Sequence, residues 1–202
     1  MSGPSGRGPA AFLLLLLAAV PSAAGAIEPA VAFDREDLSR LQGGSQRSCR
    51  SCDLAGAPLA GADLAGADLA GADLTYAALD RATLRGARLA GADLAEASLE
   101  RADLEQADLT GASLERVSLA SARLAGACLV GARLERANLF RADLRGADLS
   151  RVDLARASLA ESDLEGARLE GVDLAATDLR GARGSGVGPA ALPCRAPTVG
   201  AR

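Results

Sequence analysis

Residues 62–74 read Ala62-Asp63-Leu64-Ala65-Gly66-Ala67-Asp68-Leu69-Ala70-Gly71-Ala72-Asp73-Leu74, a unit of five residues repeated almost without change. The leucine carries the register. It recurs at every fifth position from Leu54 to Leu179 without a gap, 26 times in all, so the pattern governs the whole middle of the chain. Ala stands two residues before it in 20 of the 26 units, and the exceptions are Cys52, Val117, Val152, Ser162, Val172 and Thr177. These are small too, so that position is a narrow one. The residue between is Asp in 13 units, which marks it as facing water.

A period of five suits neither regular element. On an α-helix five residues turn about 500°, so successive leucines spiral around every face. On a flat strand the side-chain period is two, and an odd step sends successive leucines to opposite faces. Alternation does hold locally, because Ala and Leu two residues apart point the same way while the Asp between them points out. If the chain turns a corner over the next two residues, every unit aims its Ala and Leu at one axis. The pattern therefore predicts a coiled solenoid.

The run Ala-Asp-Leu-Ala-Gly at Ala62, Ala67 and Ala72 resembles the A(D/N)LXX signature of the pentapeptide-repeat proteins. The resemblance covers residues 50–183 and implies an all-β fold, a right-handed quadrilateral β-helix with one unit per side and four per coil. Twenty-six units then make six and a half coils, a rod about 31 Å long at strand-like spacing. The resemblance is specific for fold and not for task, since the family holds DNA-mimicking topoisomerase inhibitors beside many exported members.

Composition closes most catalytic routes. All 22 basic residues are Arg, and Lys, His and Trp are absent. That removes an imidazole base, a Ser/His/Asp or Cys/His pair, histidine-ligated metal and a Schiff-base lysine. The expectation is a protein that is not an enzyme and needs no cofactor. The net charge is −4 overall and −6 over residues 50–183, which speaks against binding nucleic acid through its phosphates.

The flanks differ from the repeat. Residues 1–26 read as a signal peptide: Arg7, an apolar run from Ala10 to Val20 too short to span a bilayer, and Ala24-Gly25-Ala26 before cleavage at Ile27. Cleavage after Ala24 is the near alternative. The expected product is periplasmic or secreted, with no stable membrane insertion after cleavage. Residues 27–49 form an N-terminal segment in which Phe33 to Leu41 predicts a short capping helix, with Asp34 at its N-terminus and Phe33, Leu38 and Leu41 on its apolar stripe. Residues 184–202 are a Gly- and Pro-rich tail, in which Val187 and Leu192 could fold over the last coil.

Cys49-Arg50-Ser51-Cys52 sits directly before the first full unit, an opening that many exported relatives resemble. In an exported chain the favoured reading is a structural disulfide pinning the first corner, ahead of free thiols and of metal or redox chemistry. Cys128 takes an outward Asp position, and Cys194 either reaches it or joins a second chain.

Function should lie in the outward columns. Counting by 20, the column Asp68, Arg88, Asp108, Cys128, Asp148, Arg168 stacks opposite charges, a pattern that favours structural pairs. Phe140 is the one apolar aromatic at an outward repeat position and the best single contact candidate. Arg116, Arg133, Arg136 and Arg156 form a second candidate, suited to an acidic protein partner. The preferred function is a non-enzymatic exported scaffold that binds a protein of unknown identity, and the alternative is an acidic DNA-mimicking inhibitor of a topoisomerase. A homodimer stacked through the C-terminal coil is also expected.

Overall fold

Each unit is three extended residues followed by a turn, and the hydrogen bonds show why five is the number. The structure, a computed structural model, describes residues 33–43 and 48–184. Within it, parallel bridges join outward residues to those 20 positions later, from Ser48↔Asp68 to Asp163↔Arg183, with one gap. Four units therefore close one coil. Of the five backbone N–H groups in a unit, the leucine's donates to the next coil, as Leu64 does to Thr83 O at 2.7 Å. The outward residue's donates to the previous coil, as Thr83 does to Ala62 O at 2.9 Å. The second corner residue also reaches the next coil (Gly66 to Arg85 O, 2.9 Å), and the alanine closes the turn (Ala67 to Leu64 O, 3.1 Å).

That leaves the N–H of the first corner residue, and the outward Asp accepts it. Asp63 Oδ1 takes Ala65 N–H at 3.1 Å, Asp93 takes Ala95 at 3.0 Å, and Asn138 takes Phe140 at 3.1 Å. Every one of the 13 repeat aspartates makes this bond. The signature residue is thus a backbone acceptor as well as a surface charge.

The corners bend through a positive φ at their second residue, the hand a type II turn requires there. Gly supplies it at Gly66 (φ 65°), but Arg, Glu, Gln, Ser and Tyr also adopt it, as at Arg136 (φ 58°) and Tyr76 (φ 59°). Corners without glycine carry side chains outward at a conformational cost of about 1 kcal/mol each. Because coils repeat every 20 residues, these exposed side chains stand in columns along the rod's edges.

The core is a single stack of leucine and alanine. Every leucine from Leu54 to Leu159 is at most 1 % exposed. Val117 and Val152 fit the alanine column at 0 % and 3 % exposure, but their turn bonds lengthen to 3.3 and 3.2 Å, a small local swelling. Two polar inward residues bond to backbone instead: Ser162 Oγ donates to Leu159 O at 2.7 Å and Thr177 Oγ1 to Leu154 O at 3.1 Å. At Thr177 the coil departs from register, since Arg156 N–H goes to Ala176 O and the Asp153–Asp173 bridge is missing. Over these last units Leu164, Leu169 and Leu174 are only partly buried and Leu179 is 36 % exposed.

At the other end lies α1 (Arg35–Gly43). Asp34 Oδ1 accepts the N–H groups of Glu36 and Asp37 at its start. Leu41 is buried in the core cluster, with Phe33 and Leu38 packed against it. The expected cleavage site, Val187, Leu192 and Cys194 lie outside the described residues.

Candidate functional site

The four sides carry different chemistry, and each is named here by its first leucine. On the Leu64 face, which keeps a net negative charge, three arginines pair with carboxylates along the rod. Arg85 and Arg123 both converge on Asp103 and Glu105, with Arg123 Nη1 donating to Asp103 Oδ2 at 3.0 Å. Arg145 grips Asp143 with two bonds, Nε to Oδ1 at 2.8 Å and Nη2 to Oδ2 at 2.6 Å. Those bonds hold the Asp143 carboxyl below the ordinary range and the Arg145 guanidinium above it. The Leu69 face shows cross-coil pairs, Arg88 with Asp68 at 3.6 Å and Arg168 with Asp148 at 3.4 Å.

The Leu59 face is the least charged along its centre, where Pro58, Ala78, Ser98, Ser118, Asn138 and Ser158 follow one another. Beside that strip Phe140 is half-buried, and the Arg141 guanidinium lies 4.8 Å from its ring centroid. The exposed aromatic is instead Tyr76, at 55 %, which stands on a corner of the Leu54 face. The only sequence signal for it was its place, the second corner position, which the backbone turns outward.

The four arginines singled out from the sequence share the Leu54 face. Arg116, Arg136 and Arg156 occupy one corner on successive coils, and Arg133 stands in the adjoining outward column. Arg116 Nη1 donates to Glu96 Oε1 at 3.1 Å and Arg133 pairs with Glu115. Arg136 and Arg156 are exposed and make no ion pair among the described residues.

Cys49 and Cys52 form a disulfide, with Cα atoms 5.3 Å apart. The spacing follows from the corner. Cys49 occupies a leucine register and Cys52 an alanine register, the first and last residues of one turn, which the turn itself brings within disulfide reach. Asp37 lies beside them: its carboxylate and the two sulfurs fall within 4.8 Å. With both sulfurs in the disulfide, no thiolate is left there to hold a metal. Cys128 is disulfide-bonded as well.

The period, the bridges 20 residues apart and the Asp bonds together define the fold. The family model for pentapeptide repeats matches residues 48–86, 87–124, 118–154 and 147–183. The chain is a pentapeptide-repeat protein. Among solved structures it is similar to HetL, a pentapeptide-repeat protein involved in heterocyst differentiation regulation from the cyanobacterium Nostoc sp. strain PCC 7120. The identity is 34 %, over 75 % of this chain and 79 % of that one, with a TM-score of 0.29. It is 30 % identical to the pentapeptide-repeat protein Rfr23 from the cyanobacterium Cyanothece 51142, over 74 % and 98 % of the two chains, with a TM-score of 0.37. It is also 27 % identical to QnrB1, a plasmid-mediated fluoroquinolone resistance protein, over 59 % and 58 %, with a TM-score of 0.38. Comparison with the curated proteins gave no match.

Proposed function

We propose that this pentapeptide-repeat protein is a non-enzymatic exported scaffold whose flat sides bind another protein, with α1 as its N-terminal cap and the right-handed coil that the family resemblance implies. The observation that carries this reading is the use of the carboxylates. Each repeat aspartate spends one oxygen on its own backbone. Asp143 and Asp178, whose pKa values are displaced, are pushed down by Arg145 and Arg180, which suits ion pairing rather than proton donation near neutral pH. What is left for recognition is the set of outward side chains, above all Arg116, Arg133, Arg136 and Arg156 on the Leu54 face and Phe140 beside the uncharged strip. Export is supported by the charge, apolar run and small-residue ending of residues 1–26.

The DNA-mimic alternative fits less well, because a mimic needs uninterrupted negative charge. Arg85, Arg123 and Arg145 neutralise the Leu64 face where its acids are densest. Two measurements test the reading. N-terminal sequencing of the protein recovered outside the cytoplasm should begin at Ile27 or Gly25, and the purified mature chain should leave topoisomerase supercoiling unchanged. Intact Met1 on a cytoplasmic protein, together with inhibition in that assay, would favour the alternative.

A further inference from the structure

Outward side chains on this rod stay in contact with water, with one local exception. From residue 53 to residue 183 every outward and corner residue is exposed or partly exposed except Cys128, Asp148 and Ser150, and these three are neighbours on the Leu69 face. Ion pairing along the column does not account for their burial. Arg168 lies against Asp148 as Arg88 lies against Asp68, yet the Asp68 side chain keeps 20 % of its surface exposed and that of Asp148 only 8 %. Ser150 Oγ is buried with no hydrogen-bond partner among the described residues, whereas Thr110, at the same corner two coils back, is exposed. Cys128 itself is disulfide-bonded, and of the chain's four cysteines Cys49 and Cys52 already bond to each other.

We propose that Cys128 bonds to Cys194, and that this disulfide holds residues 185–193 folded back over the Leu69 face as a clasp across Asp148 and Ser150. Cys194 is the one sulfur of the chain left for Cys128. The direction of the chain suits the bond. Gly184 falls in the leucine register 20 residues after Leu164, and the corner that follows this register leads onto the Leu69 face. From there Cys128 lies three coils back, about 14 Å at strand-like spacing. The ten residues from Gly184 to Cys194 reach about 33 Å when extended. Residues 185–193 carry no charge and include Val187, Pro189 and Leu192, an apolar cover that excludes water from Ser150 Oγ without offering it a partner. Forming the bond joins the two Sγ atoms: the two thiols give up two protons and two electrons to a disulfide donor, which leaves as a pair of thiols. While the bond stands, the Leu69 face is closed to a partner and recognition falls to the other sides; reduction reopens it. That consequence rests on reading the sides as protein-binding surfaces, whereas the clasp itself does not.

The bond is tested by tryptic mapping of the purified, oxidised full chain without reductant, after free thiols have been alkylated. The band that runs as a monomer on a non-reducing gel should yield residues 124–133 joined to residues 184–195. The cover is tested by carbodiimide-driven amidation of carboxylates, read by mass spectrometry. Asp148 should label at less than half the rate of Asp68, in line with their exposures. Cys128→Ser/Cys194→Ser should bring the two rates together, with circular dichroism confirming that the coil is intact. Residues 124–133 joined to a second copy of themselves, Cys194 recovered in alkylated form, or the expected pair found only in covalent dimers overturns the bond, and this map needs no variant to fold. Slow labelling of Asp148 that persists in the double variant overturns the clasp. Neither result bears on whether the other sides bind a partner, so the scaffold reading stands or falls separately.

Discussion

Asp37 Oδ2 accepts the backbone N–H of Asp53 at 3.0 Å, and Asp34 returns its own N–H to Asp53 O at 2.9 Å. In the following coil the equivalent N–H, that of Asp73, donates to Cys52 O one coil back. Asp53 has no such carbonyl among the described residues, so a side chain of α1 supplies the acceptor. A solenoid end is a sheet edge, and here a carboxylate and a backbone N–H occupy both backbone groups of Asp53 on that edge.

Asp37→Ala should loosen that edge alone. Loss of one backbone hydrogen bond costs about 1 kcal/mol, roughly a fivefold fall in hydrogen-exchange protection at the Asp53 amide. Protection at Leu109 and Leu129 should not change. An unaltered Asp53 amide in the variant would show that the carboxylate is not its acceptor.

Inward and outward positions should separate cleanly at mid-rod. Leu109 is 1 % exposed, so Leu109→Asp buries a carboxylate and costs several kcal/mol. Asp108→Ser loses the Oδ1 acceptor of Thr110 N–H at 3.0 Å and should cost about 1 kcal/mol or less. Asp108→Asn keeps an acceptor and should cost less still. Urea unfolding of the three variants checks the order.

The corners offer a test of backbone strain without packing. Gly131 has φ +67° and open space where a Cβ would go, so Gly131→Ala should destabilise by about 1 kcal/mol through conformation alone. Arg101 adopts φ 58° with a side chain already present. Arg101→Gly relieves that strain but frees the unfolded chain, so the net change should stay within about 1 kcal/mol of zero. Comparable losses from both would mean that the corner conformation is not the cause.

Loss of the Cys49–Cys52 bond in the double variant Cys49→Ala/Cys52→Ala, which leaves Cys128 untouched, should be felt locally. The loop it closes is a single turn, and the chain-entropy value for so short a loop is about 2 kcal/mol. Because coils contact only their neighbours, the first coil should lose exchange protection while the coils from Leu94 onward keep theirs. Uniform loss along the rod would show that the solenoid opens as one unit.

The pH dependence near the last coil has a defined sign. Arg180 donates through Nε and Nη2 to Asp178 at 2.9 and 2.8 Å, which lowers the Asp178 pKa from 3.8 to about 2. A carboxyl depressed in the folded state favours folding above its unfolded pKa, and that contribution is lost as pH falls from about 4 toward 2. Carboxyl-carbon NMR should find Asp178 titrating near 2, and Arg180→Ala should raise it part of the way to the ordinary range, because the backbone N–H of residue 180 still donates to it.

What the sequence determined by itself was everything that depends on parity. Ala and Leu two residues apart must share a direction in extended chain, and a step of five must be completed by a corner, so the inward columns, the coil and α1 with its Asp34 cap were legible from residue order. The outward Asp was legible as exposed, yet its bond to the N–H two residues on emerged only once every other backbone donor had been assigned a partner. The charge pairing was decided by tertiary structure. An arginine on this rod finds carboxylates at nearly equal distance one coil back, one coil on and within its own unit. Arg123 turns back to Asp103 while Arg145 grips Asp143 beside it, a choice that no spacing rule separates. The same holds for the aromatics. Phe140 and Tyr76 are one corner position apart in their units, but Phe140 is half-buried beside Arg141 while the positive φ at Tyr76 carries its ring into solvent. Inward order follows from covalent geometry, whereas the outward surface is settled by long side chains choosing among neighbours that only the coil brings together.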